Sequence, residues 1–325
     1  MNASLWTAFL ANFMFWTGTA AGGVAFAALL DLTGAQWAGP LRAAALRFHR
    51  FLPAAVVLYL VLLIGARAIY PWIAHPAGSS WLRFRPFALR DVAALIGIAV
   101  TASFCAQSSR APSEPVQGET APVAATIIFL VAYTIGFSVL AIDLVMSLDA
   151  PWGSALFPAY LFTANVYTAI AAAALAAPWK ISAGDATLTD GRFADLGNLL
   201  LGFALVWMYL VWSQFLVIWY GNLPEETRYL VRLLYGRWRP LAWTIWTARF
   251  ALPFIVLLSG AGKRRAPIFV IAATIAAGFW AECFLLVTPA ASGIPSPWGA
   301  AAITAGFLAL FAMVTRERKT PHVRS

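Results

Sequence analysis

Apolar runs alternate with short polar stretches along the whole chain, and nine of the runs reach the roughly 20 residues needed to cross a bilayer. They fall near 6–30, 51–70, 89–107, 122–146, 157–177, 196–220, 240–260, 266–288 and 298–315. The sixth ends in WMYLVWSQFLVIWYGNLPEET, from Trp207 to Thr227. In it Tyr209, Ser213 and Tyr220 share one helical stripe with Gln214 beside them. A polar stripe inside lipid is costly unless it meets other helices or water, so this face is expected to point into a bundle. Trp219 and Tyr220 fall where an interfacial aromatic belt would lie, just before the break at Gly221, Asn222 and Pro224.

The connections add detail to this all-α pattern. After the sixth span, ETRYLVRLLYGRW places Tyr229, Leu230, Leu233 and Leu234 on one face with arginines opposite, predicting an amphipathic surface helix. The stretch SSRAPSEPVQGETAP is the most disorder-like connection. In the first span, Gly18 and Gly22 stand one turn apart on a face suited to close helix approach, which favours helix contact over ligand binding.

Composition supports the same class: 62% of the 325 residues are apolar and only 11% charged, against roughly 25% charged in soluble domains. The net charge of +9 is scattered through the loops, which reads as headgroup anchoring and not as a nucleic-acid face. Connections on the side of the C-terminus carry 13 Lys and Arg against 8 opposite. This bias predicts an outside N-terminus and a cytoplasmic C-terminus. Cys105 and Cys283 lie in separate spans, and His49, His75 and His322 lie in loops or the tail. With no histidine in a span and no metal-ligand spacing, neither haem ligation nor an iron–sulfur cluster is expected of this chain.

Three spans of common direction, the fourth, sixth and eighth, carry Asp143, Gln214 and Glu282 near their C-terminal thirds. They are expected to converge close to one membrane surface. At 1.5 Å rise per residue, Glu282 lies roughly 9 Å below that surface and Arg249, on the antiparallel seventh span, roughly 13 Å. An ionisable residue at such depth needs a partner or a function. Asp143, Glu282 and Arg249 are therefore candidates for a proton relay, or for an ion pair that only locks two helices. Gln214, Ser213, Tyr209 and Tyr220 are candidates for a quinone-binding or helix-bridging polar cluster.

The runs NFMFWTGTAAGGVAFAALLDLTGAQWAGPLR, AIDLVMSLDAPWGSALFPAYLF and WSQFLVIWYGNLPEET resemble the second quinone-binding-type membrane subunit of bacterial alternative complex III, a polysulfide-reductase-type integral membrane family. The resemblance covers nearly the whole chain. It implies two four-helix bundles, over 1–146 and 157–288, with a peripheral last helix and basic tail over 289–325. It also implies a bacterial inner-membrane complex that oxidises quinol, menaquinol or ubiquinol, and passes electrons toward cytochrome c or a terminal oxidase. The implied partners are a sister ten-helix membrane subunit, an iron–sulfur protein and multihaem cytochromes, which would hold the haem and iron–sulfur clusters. Asp143, Asp149, Gln214 and Glu225 fall within the matching segments, Asp149 and Glu225 as interface candidates. A structural scaffold within such a complex, or a free-standing secondary transporter, remain open as alternatives.

Overall fold

The computed structural model describes residues 2–74, 81–108, 121–149, 152–177, 186–290 and 296–316. Among these residues there is no strand, and nine helices are long and apolar enough to cross a membrane. The chain thus has a multi-pass, all-α membrane architecture. The spanning helices are α1 (Ala3–Thr33), α2 (Gly39–Ile64), α3 (Phe84–Ser108), α4 (Val123–Asp149), α5 (Phe157–Ala176), α6 (Gly191–Gly221), α8 (Arg239–Leu258), α9 (Arg265–Val287) and α10 (Pro297–Thr315). Between α6 and α8, the predicted amphipathic helix is present as α7 (Pro224–Leu234). The disorder-like connection, apart from its ends, and the histidines His75 and His322 lie outside the described residues.

Two boundaries differ from expectation. Helix α2 begins well before residue 51, because the basic segment that ends in Arg47, His49 and Arg50 is itself helical. A tighter 3₁₀ turn at Phe48–Phe51 marks the join, where Pro53 has no N–H for the carbonyl of residue 49. Helical backbone before α6 likewise starts at Ala186, ahead of the expected boundary at 196.

Helix α1 occupies the centre. It packs against α2, α3 and α4 on one side, α5 and α9 on the other, and α10 along a third. It is apolar all round and buried along almost its whole length, as a helix without a lipid face must be. Its small residues permit this: a Cβ on Gly18 would fall 2.2 Å from Asn165 Oδ1 and one on Gly22 2.5 Å from the Asn165 carbonyl oxygen. The expected use of these glycines, close approach to another helix, is therefore what they serve. Aromatic side chains fasten α10 to α1, with Phe307 against Phe9 and Phe311 against Trp16. Helices α5, α6, α8 and α9 pack together on the far side of α1, and both cysteines are buried.

Candidate functional site

The largest fully buried side chain among the described residues is Arg249 of α8, with no exposed surface at all. Its backbone explains how it is aimed. Pro253 cannot donate to the carbonyl of residue 249, and the helix widens into a π-turn over Thr247–Ala251, where the Leu252 N–H bonds Thr247 instead. The carbonyl of Arg249 is satisfied by the Tyr167 hydroxyl at 3.0 Å. Across from it α9 presents Gly278, where a Cβ would lie only 2.8 Å from Arg249 Cγ. The missing side chain is the space the arginine fills.

Within that space Arg249 Nε lies 2.9 Å from Glu282 Oε2, and Arg249 Nη1 donates to Thr168 Oγ1 at 3.1 Å. The rings of Phe279, Trp207 and Tyr167 surround the guanidinium, at 4.7, 5.1 and 5.2 Å from its carbon. Such rings favour a desolvated cation. The depth comparison between spans seven and eight foresaw this pair, and the structure brings the two residues together.

The other oxygen of Glu282, Oε1, accepts a hydrogen bond from the Tyr160 hydroxyl. Glu282 and Tyr160 also border a cavity of about 560 Å³ lined by α5, α6, α7, α8 and α9. That volume lies within the range of small-molecule sites. Its walls are mostly apolar and aromatic, with Trp212, Phe215, Trp243 and Trp246 among them. Gln214 is a further polar group on the wall, and its Nε2 donates to the Leu210 carbonyl at 3.3 Å. From the surface side, Leu230, Leu233 and Leu234 of α7 cover the cavity.

The rest of the expected polar stripe on α6 turns away. Tyr209 and Tyr220 are 67% and 85% exposed, and Ser213 is half-buried without lining the cavity. The expectation that this face points into a bundle is corrected. Tyr220 stands at the end of α6, where its hydroxyl reaches the headgroup layer, so its outward setting carries no desolvation cost.

The expected convergence of Asp143, Gln214 and Glu282 is corrected as well. Gln214 and Glu282 meet at the cavity, whereas Asp143 belongs to a separate cluster in which Arg90 Nε donates at 2.6 Å and the Trp81 indole at 2.8 Å. Shared helix direction fixed depth but not the face on which each residue stands. Asp149, an interface candidate, pairs within the chain with Arg228 and Arg232 of α7 at 2.7 and 3.1 Å. The side chain of Glu225 lies outside the described residues.

Several site residues were missed. Tyr160 and Tyr167 lie at i and i+7 of the fifth apolar run, a spacing that puts them on one helical face. Arg90 and Asp91 form an Arg-Asp pair at a helix start, a signal visible in the sequence. The chain matches no protein-family model and no curated protein.

Proposed function

We propose that this chain is a membrane subunit of a respiratory quinol-oxidising complex, and that the cavity among α5 to α9 receives the quinol head group. One observation carries the reading: Glu282 and Tyr160 stand side by side as acceptor and donor on the wall of a mostly apolar cavity, with Arg249 fixed behind the carboxylate. A quinol has the complementary form, an apolar aromatic body with two hydroxyls. Its oxidation releases two protons and two electrons. Glu282 would take a proton from a ring hydroxyl, and the electrons would leave to haem and iron–sulfur centres in partner subunits, in keeping with the sequence resemblance to alternative complex III. Under the charge bias of the loops, the C-terminal ends of α6 and α9 face outside the bacterial inner membrane, so protons would be released there.

Tryptophan quenching tests the cavity directly, since Trp207, Trp212, Trp243 and Trp246 line it. Titration with a short-tailed benzoquinone or naphthoquinone is expected to quench saturably, with about tenfold weaker binding in Tyr160→Phe, the equivalent of about 1.4 kcal/mol. Quenching that never saturates and is identical in the variant would reflect partition into detergent and overturn the site. Membership of a complex is tested by mild purification with a haem spectrum. Co-migration with a cytochrome is expected, and migration alone would exclude the complex.

A further inference from the structure

A second buried polar cluster sits in the other half of the molecule, where the cavity reading does not use it. Asp91 in α3 and Asp143 in α4 are both 0% exposed, and Arg90, next to Asp91 in the chain, reaches Asp143, so the two acids stand in one cluster and act on each other's charge. The charged and titratable groups around them are Tyr59 from α2, Tyr70 from the short turn after it, and Arg90 from α3. Tyr59 donates to Asp91 Oδ2 at 2.7 Å, and the Tyr70 hydroxyl donates to the Leu144 carbonyl at 3.3 Å. Arg90 pairs with Asp143 and lies 3.8 Å over the ring of Trp81, whose indole N–H also goes to Asp143. Asp91 Oδ1 has no hydrogen-bond partner.

Among the described residues the charges do not balance: two carboxylates face one guanidinium, and its ion pair is with Asp143. An uncompensated charge on a fully buried group is strongly disfavoured, and two adjacent buried carboxylates cannot both remain ionised without a compensating cation. The missing positive charge must be small. A sodium ion needs several oxygen ligands, yet among these side chains the one oxygen without a partner is Asp91 Oδ1, and the hydroxyl, indole and guanidinium groups around the pair point donors at it. A proton needs only two oxygens, and a protonated carboxyl gains the donor that a carboxyl-to-carboxyl contact requires.

We propose that Asp91 and Asp143 share one exchangeable proton, making a proton-binding site in the α2–α3–α4 half of the protein, independent of the Glu282 cavity. It is a carboxylic-acid pair in which Asp91 is the residue that loads and unloads, while Arg90 and Trp81 hold Asp143 in place.

Infrared spectroscopy of the full chain, in H₂O and D₂O, reads this proton as a carboxylic-acid C=O stretch. The expected result is a band at neutral pH that shifts down in D₂O, persists in Glu282→Gln, is the same in sodium and choline buffers, and is lost in Asp91→Asn. Tyr59→Phe, which removes a hydrogen bond but keeps the ring, is expected to move the band to higher wavenumber, and it serves if Asp91→Asn does not fold. Absence of any acid band beyond the one lost in Glu282→Gln would overturn the proposal. So would a band that disappears when sodium replaces choline, which would mark a metal-cation site. Quinone quenching by Asp91→Asn is expected to match wild type, so the two readings fail separately.

Discussion

The two buried acid sites look alike in sequence, an aspartate or glutamate within an apolar span, and differ in two respects that only assembly sets. Glu282 faces one fully buried arginine, so its charges balance, and it borders a cavity. Asp143 has an arginine of its own but also a second acid beside it, and the pair is sealed from solvent. What separates a ligand-facing acid from a proton store is thus the ratio of charges and the space around them, not the residue type.

Substitutions can break or sharpen this contrast, each measured as unfolding free energy in detergent or bicelles. The largest effect is expected for Arg249→Met, which strands Glu282 without its partner and should cost about 3–5 kcal/mol. Adding Glu282→Leu should recover most of that loss, because the balanced pair is removed whole; no recovery would mean that the two residues are not coupled. Gly278→Val drives a side chain into the arginine's space and should cost about 1–3 kcal/mol. Tyr167→Phe leaves the carbonyl of Arg249 without its donor, a loss of about 1–3 kcal/mol. In the unbalanced site, Asp91→Asn removes the surplus acid while keeping an acceptor for Tyr59, so stability should stay within about 1 kcal/mol of wild type. A penalty as large as that of Arg249→Met would erase the distinction between the sites. Asp149→Asn should have the smallest effect, about 0.2–1 kcal/mol, because Arg228 and Arg232 are partly solvated.

Much of the architecture was legible from the order of residues. Apolar length marked the spans, since the bilayer sets one scale for all of them, and small residues marked a face of α1 that another helix approaches closely. The Arg249–Glu282 pair was legible because opposite charges at matched depth on consecutive antiparallel helices have few other places to go. Rotation about each helix axis was not. Depth follows from counting residues, but the facing of Tyr209, Tyr220 and Asp143 depends on which helices crowd each side, and that is decided by contacts far apart in the chain. Asp91 escaped notice for a related reason: near a helix start, a charge looks like a headgroup anchor until Tyr59 and Asp143 are seen to close over it.

The turn that carries Asp149 follows directly on the span that carries Asp143, and Asp149 grips two arginines of the helix whose leucines roof the cavity. That shutter is therefore fastened across the molecule by ion pairs whose arginine ends reach solvent, where dissolved ions weaken them. Strong salt should slacken it and quicken traffic into the chamber, while the arginine walled in by aromatic rings, beyond the reach of any counter-ion, stays where it is.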